Sequence, residues 1–317
     1  KLAFHSFDVV QWIQPHRIIG ELNLPIQFIS TDSRNLLGGK EGCFVALKGH
    51  FRSGEQFIEA AYQKNVRVFI CSQIPALIHP DAVYLIVEQP LKALQVIASM
   101  HRKTISCPVV AIAGKNGKTT VKEWVYELIK SKFHVVRSPK SYNSQVGVPL
   151  SIISINENHN LGIFEAGIST TNEMSKLEQI IKPTIGILTN LGSAHDEGFA
   201  NFEQKIKEKV GLFANAEILI YKKDKLVDAF LNSNLKTFSW SLNDSTADVF
   251  ISQKSLSDKT ILEVNFSGKK FEITIRFKDD ASIENAIHCW AVLLFLKKKN
   301  KWIAQKNQQL RPIPMRL

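Results

Sequence analysis

Cysteine is scarce in this sequence, and its placement excludes two kinds of cross-linked fold. The 317 residues contain 4 cysteines, which stand far apart and form no CxxC pair: Cys43, Cys71, Cys107 and Cys289. Structural zinc sites typically use CxxC pairs, and disulfide frameworks are typical of short, cysteine-rich chains, so neither is expected here. We therefore expect isolated buried thiols in a protein of the reducing cytoplasm.

Long apolar runs are also missing. The longest purely apolar run near the C-terminus covers residues 291–296. That is far short of the roughly 20 residues that cross a bilayer as a helix. The opening residues, KLAFHSFDVVQW, include no apolar stretch of the length found in secretory signals. The sequence thus predicts a cytoplasmic protein with no stable membrane insertion.

Acidic residues are outnumbered by basic ones. Asp and Glu total 29 against 40 Lys and Arg, which gives a formal net charge of +11. Such an excess favours anionic partners, whether nucleotides, phosphorylated substrates, nucleic acid or a membrane surface, without choosing among them. The composition is otherwise ordinary, with 44% hydrophobic and 22% charged residues, so a disordered chain is excluded. The length favours about two domains.

The pattern of apolar residues changes near residue 106, where we expect a domain boundary. In residues 1–105, strands are predicted at 28–31, 43–47, 66–70 and 83–88. Helices are predicted at 55–64 and from Pro90 onward, because proline suits the first position of a helix. These residues are expected to form a small N-terminal α/β domain.

From residue 106 to residue 317, apolar strands alternate with helices. Strands are predicted at 108–114, 161–165, 184–189 and 217–221, and helices at 119–132, 173–181, 203–214 and 283–296. Buried parallel sheets flanked by helices show this order. Alternating residues on both sides of Ser267 and Gly268 predict a β-hairpin. The expected fold class is therefore α/β, with a central domain whose mostly parallel sheet is flanked by helices.

One segment of the central domain has the features of a phosphate-binding loop. A predicted strand runs into GKNGKTT, after which a helix begins. Glycines let backbone amides approach a phosphate, and the helix N-terminus adds the positive end of its dipole. We assign ATP binding to the residues of this segment: Gly114, Lys115, Asn116, Gly117, Lys118, Thr119 and Thr120.

Two side chains of this P-loop have specific expected roles. Lys118 is expected to neutralise the β- and γ-phosphates, and the Thr119 hydroxyl to bind Mg²⁺. The segment departs from the common GxxxxGK[ST] pattern, because Ile112 stands where the first glycine belongs. A basic turn that caps a helix is the alternative interpretation of the same residues.

Further polar residues follow predicted strands at the carboxyl edge of the sheet, where open parallel sheets bind ligands. Glu165 ends the strand LGIFE, where its carboxylate would hold Mg²⁺ or instead cap a helix. His195, in TNLGSAHDEGF, would bind a second divalent ion, position a phosphate, or serve as a structural histidine. Lys209, among the lysines of KIKEKVGLF, by itself indicates only a solvated helix face.

Together these motifs resemble those of the Mur ligase family, the ATP-dependent amide ligases of peptidoglycan precursor synthesis. GKNGKTT resembles the family's phosphate loop, which departs from the common pattern in the same way, and FEAGISTTNEM and TNLGSAHDEGF resemble its central-domain motifs. STDSR, GCFVALKG and FRSGEQFIEAA resemble the UDP-binding domain of the ligases that add the third residue or the terminal dipeptide. AHDE around the histidine and the segment SYNSQVGVPLSI are most similar to the branch that adds D-alanyl-D-alanine.

The resemblance implies roles that the residues alone do not. KVGLF matches the context of the family's carbamylated lysine, whose carbamate binds a second Mg²⁺, so Lys209 is identified with it and Lys207 is the alternative register. Asn285 matches an asparagine near the adenine, and Arg316 matches an arginine that contacts the nucleotide. The residues expected to bind the UDP-linked substrate are Thr31, Asp32, Ser33, Arg34, Lys48, Asn143 and Ser144.

The implied reaction uses ATP and two Mg²⁺ ions. The γ-phosphoryl group passes to the terminal carboxylate of UDP-MurNAc-tripeptide, and the amine of D-Ala-D-Ala attacks the resulting acyl-phosphate. The implied catalytic residues are Lys118, Glu165, His195 and Lys209, the last three serving with Thr119 as metal ligands.

The family's third, Rossmann-like domain is not represented in residues 1–317. We therefore expect a fragment with weak or no ligase activity by itself. The full protein is expected to carry further C-terminal domains, which in some members of the family include a fused alanine racemase.

Other assignments are open at this point. A third-residue Mur ligase and a folate polyglutamyl ligase are the nearest alternatives, although DSR and FVALKG argue against the folate enzyme. A nucleotide- or UDP-sugar-binding module without catalysis is an alternative of another class. Only the charge of +11 favours a P-loop ATPase that binds nucleic acid, and the basic run KKKNK lacks interleaved aromatics apart from Trp302. We therefore expect no nucleic-acid partner.

Overall fold

A computed structural model describes residues 4–36, 39–49, 53–168, 171–192 and 202–299. The chain divides into two compact units. The first comprises residues 1–106 with 145–158, and the second comprises residues 107–144 with 159–317. The sequence predicts a single boundary after residue 105, and the structure differs from it in the segment 145–158.

The helices and strands are numbered along the chain. Up to residue 106 they are β1 (Phe4–His5), α1 (Ser6–Ile13), β2 (Arg17–Ile19), β3 (Pro25–Ile26), β4 (Phe28–Ser30), β5 (Gly42–Val45), α2 (Ile58–Gln63), β6 (Val68–Cys71), β7 (Val83–Ile86) and α3 (Pro90–Lys103). Then follow β8 (Val109–Ala113), α4 (Lys118–Ile129), β9 (Val135–Arg137), α5 (Gly147–Ile153), β10 (Leu161–Glu165), α6 (Glu173–Ile181), β11 (Ile185–Leu188) and α7 (Phe202–Val210). The last are β12 (Ile218–Lys222), α8 (Lys225–Asp228), β13 (Lys236–Ser241), β14 (Val249–Ser255), β15 (Thr260–Phe266), β16 (Lys269–Ile275) and α9 (Asp280–Lys299).

The first unit is built on a mixed sheet. Within its described residues the strand order is β2-β7-β6-β5-β4, with β4 to β7 parallel and β2 antiparallel to β7. Every residue of β5, β6 and β7 is buried. Apolar residues at successive positions are expected of parallel strands that are covered on both faces. The predicted α/β character of this region is therefore confirmed.

Helix α5 explains why residues 145–158 belong to the first unit. It packs against α3, and the side-chain amide of Gln95 donates to the carbonyl oxygen of Gln145 at 3.2 Å. The His101 Nε2 donates to the carbonyl oxygen of Ile155 at 2.7 Å. The apolar face of α5, including Val148, is thus buried in the first unit, and no local sequence pattern indicates this long-range contact.

The second unit is built on a larger sheet. In the described part of the chain its order is β16-β15-β14-β13-β12-β11-β8-β10-β9. In this order, every pair of neighbouring strands between β9 and β14 is parallel. The pairs β14–β15 and β15–β16 are antiparallel. The predicted mostly parallel sheet is confirmed. Because β8 lies between β10 and β11, the carboxyl ends of these three strands meet at one edge of the sheet.

Helices α4 and α9 pack together on the sheet. Their buried residues share one apolar cluster, which includes Val121 and Val125 from α4 and Ile287 and Trp290 from α9. The cluster continues into the inward-facing residues of β8 and the strands beside it. Burial of these side chains therefore fixes α4, and with it the end of β8, against the sheet.

The hairpin predicted around Ser267 and Gly268 is confirmed. Strands β15 and β16 pair antiparallel from Thr260 opposite Ile275 to Phe266 opposite Lys269. Ser267 and Gly268 have φ values of 51° and 73°, as a two-residue hairpin turn with a right-handed strand twist requires. Strands β9, β13 and β14 were not among the predicted elements. Among the described residues, no helix combines the length and the apolar character needed to cross a membrane.

Candidate active site

The predicted phosphate loop lies between β8 and α4 at the carboxyl edge of the larger sheet. Gly114 and Gly117 have φ values of 143° and 81°, backbone conformations that favour glycine. A Cβ on Gly114 would come within 1.9 Å of the Thr189 Oγ1 atom. The strand–loop–helix order is therefore confirmed, and the shape of the loop depends on both glycines.

Thr189 and Asn190, which follow β11, hold this loop in place. The Thr189 hydroxyl donates to the carbonyl oxygen of Asn116 at 2.7 Å. Asn190 makes two bonds with the same residue: its Oδ1 accepts from the Asn116 amide at 3.1 Å and its Nδ2 donates to the Asn116 carbonyl at 2.9 Å. The Lys115 amide donates to the Asn190 carbonyl at 2.9 Å. Sequence reasoning missed both residues, and their position directly after a buried strand was the signal that pointed to them.

Lys118 is the first residue of α4 and folds back over the loop. Its Nζ donates to the carbonyl oxygens of Gly114 and Lys115, each at 2.9 Å. Burial lowers the pKa of Lys118, and the negative charge of Glu165 acts in the opposite direction. A cation at a helix N-terminus also opposes the helix dipole. A phosphate beside this ammonium would therefore stabilise its charged form.

The side chains of Thr119 and Glu165 place oxygen atoms of the kind that bind metal ions next to the loop. Glu165 ends β10 and is fully buried. The Thr119 hydroxyl lies 2.9 Å from Oε2 and 3.1 Å from Oε1 of Glu165 and donates to this carboxylate. Hydroxyl and carboxylate oxygens are ligands that Mg²⁺ accepts, so the residues present fit that ion. No three of His, Cys, Asp and Glu come together as a metal site in the described ranges.

Lys122 reaches the same carboxylate from α4. Its Nζ lies 2.9 Å from Glu165 Oε1, and both side chains are fully buried. Sequence reasoning missed Lys122, because a lysine in an amphipathic helix predicts a solvated side chain. No sequence signal distinguished it from the exposed lysines of the chain.

Lys209 lies in α7 and is 6% exposed, whereas Lys207 is exposed. Burial, as the largest cause, and the positive charges of Lys118, Lys205 and Lys115 together lower the pKa of Lys209 to about 8. Lys118 and Lys115 belong to the phosphate loop, so this electrostatic interaction links Lys209 to the loop. A buried ammonium among other cations is costly, and conversion of its nitrogen to an anionic group would remove that cost.

Helix α9 brings Asn285 to the loop. A Cβ on Gly117 would come within 2.3 Å of the Asn285 Oδ1 atom. One turn further on, His288 is fully buried: its Nε2 donates to the Thr189 carbonyl at 2.8 Å, and its Nδ1 accepts from Trp240 Nε1 at 3.1 Å. Burial lowers the pKa of His288 to about 4. The neutral imidazole therefore anchors α9 to the same threonine that holds the loop.

Asn143 and Ser144 belong to the segment that follows β9. The Gly167 amide donates to the carbonyl oxygen of Asn143 at 2.7 Å. The Asn143 side chain lies 3.0 Å from the position of a Cβ on Gly167. Asn143 is therefore close to the end of β10, two residues beyond Glu165, while Ser144 is exposed.

In the first unit, the backbone amide and the side chain of Arg34 both donate hydrogen bonds to the Asp32 carboxylate. The Arg34 amide and Nε donate to Asp32 Oδ1, each at 2.9 Å, and NH2 donates to Oδ2 at 2.8 Å. The hydrogen bonds from Arg34 lower the pKa of Asp32 to about 2. The Arg34 side chain is 86% exposed, so most of its guanidinium faces solvent and is accessible to an anionic ligand.

The other predicted substrate residues of the first unit lie close by in the chain. The Lys64 Nζ donates to the carbonyl oxygen of Ser33 at 2.7 Å, which fixes this turn against the end of α2. Thr31 is half-buried, and Lys48 is exposed and forms an isolated bridge with Ser53. The predicted site residues His195 and Arg316 lie outside the described residues.

Comparisons with known proteins agree with the motifs. The Mur ligase middle-domain family matches residues 112–293, and the Mur ligase catalytic-domain family matches residues 25–106. A UDP-N-acetylmuramoyl-tripeptide–D-alanyl-D-alanine ligase of Borreliella burgdorferi is 30% identical over 296 residues. That match covers 88% of this chain and 63% of the relative, so the chain spans less than two thirds of the relative's length.

Solved structures share the fold. The crystal structure of MurF from Acinetobacter baumannii has a TM-score of 0.81 at 20% identity and covers 99% of this chain and 69% of that one. The MurF ligase of Thermotoga maritima, in complex with ADP, has a TM-score of 0.73 at 23% identity and covers 84% and 62%. The middle-domain match extends over more than half of the sequence and contains the phosphate loop, Glu165 and Lys209. By these matches the chain belongs to the Mur ligase family.

Proposed function

We propose that this chain is the nucleotide- and substrate-binding part of an ATP-dependent amide ligase that joins D-Ala-D-Ala to UDP-MurNAc-tripeptide. The observation that carries the proposal is the burial of Lys209, whose charge interacts with that of Lys118 in the phosphate loop. A P-loop alone serves many nucleotide-binding proteins, whereas a second buried lysine that interacts electrostatically with it fits this ligase chemistry. The name and 30% identity of the Borreliella relative support the choice of substrates.

The first step of the proposed reaction is phosphoryl transfer. A carboxylate oxygen of the tripeptide bonds to the γ-phosphorus of ATP, the bond from that phosphorus to the bridging oxygen breaks, and ADP leaves. Lys118 and the loop amides stabilise the charge of the phosphates. Thr119 and Glu165 would hold Mg²⁺, which supplies positive charge to the phosphoryl oxygens.

The second step forms the amide. The amine of D-Ala-D-Ala attacks the carbonyl carbon of the acyl-phosphate, the carbon–oxygen bond to phosphate breaks, and the amine loses a proton to solvent. Binding of the UDP group by residues such as Asp32 and Arg34 positions the distant carboxylate, so that binding energy is used for orientation. Because ATP and the UDP-linked substrate are cytoplasmic compounds, the proposal assigns the activity to the cytoplasm.

Carbamylation of Lys209 is part of the proposal. The neutral amine attacks carbon dioxide, a nitrogen–carbon bond forms and a proton is released, which leaves a carbamate anion. Burial of Lys209 among Lys118, Lys205 and Lys115 supports this step, because the product is an anion among cations. The carbamate would supply oxygen ligands for a second Mg²⁺.

The choice of acceptor tests the proposal. The full-length protein is given ATP, Mg²⁺ and UDP-MurNAc-tripeptide with D-Ala-D-Ala, and in parallel UDP-MurNAc-dipeptide with a diamino acid, while released phosphate and product mass are measured. We expect phosphate release and an amide product with D-Ala-D-Ala only. Turnover only with the diamino acid would assign the third-residue ligase. Binding of both nucleotides with no turnover would assign a binding module.

A further inference from the structure

Lys122 is a buried cation that has no assigned role in the proposed reaction. It is 0% exposed and lies in α4, three residues after Thr119. Its Nζ donates to Glu165 Oε1 at 2.9 Å, to the Ser138 carbonyl at 2.8 Å and to the Lys140 carbonyl. A lysine ammonium has three N–H donors, so these acceptors use all of them.

The carboxylate of Glu165 is as deeply buried as this ammonium, at 0% exposure. Buried charges are costly unless they are paired, and the loss of one partner leaves the other uncompensated. Thr119 and Lys122 stand three residues apart and therefore share one face of the helix. Helix α4 thus contacts the Glu165 carboxylate twice, once with a hydroxyl and once with a charge.

The backbone acceptors of Lys122 belong to the segment that leads from β9 to Asn143. Lys140 has a φ of 48°, a left-handed conformation that is unfavourable for a residue other than glycine. Further along, the Gly167 amide donates to the Asn143 carbonyl at 2.7 Å. The segment is therefore bent and is attached at both of its ends, by Lys122 and by Gly167.

We propose that Lys122 is a positioning residue for phosphoryl transfer. It orients the Glu165 carboxylate toward Thr119 and at the same time holds residues 138–144, which include Asn143 and Ser144, next to that carboxylate. The inference rests on the proposed function, in which Thr119 and Glu165 bind Mg²⁺. Lys122 acts through Glu165 and through the backbone, so its loss should affect the metal-dependent part of nucleotide binding above all.

ATP affinity with and without Mg²⁺ measures this role. In the full-length protein, Lys122→Met keeps the length of the side chain and removes its charge and donors. We expect ATP affinity in EDTA to stay within about twofold of wild type and the Mg²⁺-dependent gain in affinity to fall at least about tenfold. Lys130→Met, at the exposed end of the same helix, is the matched control and should change neither value.

Two further variants keep the test decisive. Lys122→Arg keeps the charge, but a planar guanidinium cannot direct three donors as an ammonium does. It should fold, lower the Mg²⁺-dependent gain in ATP affinity and reduce kcat at least about tenfold, while ATP affinity in EDTA stays within about twofold of wild type. In a Glu165→Gln background, Lys122→Met should lower the Mg²⁺-dependent gain in ATP affinity by less than about a further twofold, because the two residues act as a unit.

The possible results distinguish a positioning role of Lys122 from a contribution to fold stability alone. Equal losses of affinity with and without Mg²⁺, or additive effects of the Lys122 and Glu165 substitutions, would assign Lys122 to fold stability alone and overturn the proposal. An unchanged Mg²⁺ dependence in both Lys122 variants would also overturn it. The absence of any Mg²⁺-dependent gain in the wild-type protein would contradict the metal site of the proposed function, and the role of Lys122 with it.

Discussion

Asn285 of α9 lies directly against Gly117 of the phosphate loop: a Cβ added to the glycine would come within 2.3 Å of the Asn285 Oδ1 atom. The contact joins a helix near the end of the described chain to the loop that precedes α4. Because His288, one turn away, anchors α9 to Thr189, neither partner can move aside easily. The loop therefore tolerates no side chain at position 117.

Gly117→Ala should weaken ATP binding at least about tenfold. The added methyl group meets Asn285, and alanine at a φ of 81° is strained by roughly 1–2 kcal/mol. Gly268→Ala is the matched control, since Gly268 has a φ of 73° with nothing within 4 Å of the added Cβ. The backbone strain in Gly268→Ala should lower the free energy of unfolding by a similar amount. ATP affinity, measured by calorimetry, should not change. Equal ATP affinity in the Gly117 variant and wild type would show that the contact is not rigid.

Lys118→Ala should also weaken ATP binding by at least about tenfold. The substitution removes a charge-assisted contact to phosphate worth roughly 1.5–3 kcal/mol. The exposed lysine at the other end of α4 provides the comparison, and Lys130→Ala should bind ATP normally. Wild-type affinity in a folded Lys118→Ala protein would refute the assignment of this loop.

Lys209→Ala should abolish turnover of the full-length protein, and Lys207→Ala should leave it near normal. The first removes the buried amine that we expect to be carbamylated, whereas Lys207 is exposed. Short-chain carboxylates such as acetate should partly restore turnover to Lys209→Ala by supplying the missing oxygen ligands. The opposite pattern, with loss only at Lys207, would show a register error. Turnover in both variants would exclude the carbamate.

Arg34→Ala should weaken the binding of UDP-MurNAc-tripeptide in calorimetry by about tenfold or more. The variant removes an exposed guanidinium that Asp32 holds in one orientation. Lys92→Ala removes an exposed cation from α3 of the same unit and should bind normally. Equal affinities of the two variants would place the UDP site elsewhere.

The free energy of unfolding should fall as the pH decreases from about 6.5 to about 4, in part because of His288. Its pKa in the folded protein, about 4, lies below the ordinary value of 6.5, so in this range the unfolded chain binds a proton that the folded chain does not. The contribution is roughly 2 kcal/mol between pH 7 and pH 5. Urea unfolding at both pH values measures it.

His288→Gln is the comparison for this pH effect. Glutamine keeps a donor for the Thr189 carbonyl but does not titrate, so the difference in stability between pH 7 and pH 5 should be smaller in the variant. Contributions from other histidines cancel in the comparison. An identical pH dependence in the two proteins would mean that His288 is accessible to protonation in the folded state.

Local patterns were sufficient for the elements that position the site. The glycines of GKNGKTT, the apolar strand before it and the helix after it specify a phosphate loop through interactions only a few residues apart. Glu165 ends an apolar strand, and strand ends meet at the ligand-binding edge of any parallel sheet. The hairpin at Ser267 and Gly268 was predicted for the same reason, since turn chemistry is local.

Features that depend on contacts between residues far apart in the chain could not be predicted from the sequence. Helix α5 follows β9 in the chain, yet its apolar face is buried against α3, and nothing within residues 145–158 indicates that partner. Lys122 appears in the sequence as an ordinary basic residue of an amphipathic helix, and Lys209 was distinguished from its neighbours only by the family resemblance of KVGLF. Their burial results from the way α4 and α7 pack near the carboxyl edge of the sheet.

The sequence by itself determined the α/β class, the phosphate loop, the hairpin and the family, because these depend on short-range patterns and motif spacing. Only the tertiary structure decided that Lys122 and Lys209 are buried. An ammonium has its ordinary pKa and no fixed partner while it is solvated. It acquires a role when packing removes water and leaves it beside particular charges, Glu165 for Lys122 and the loop lysines for Lys209.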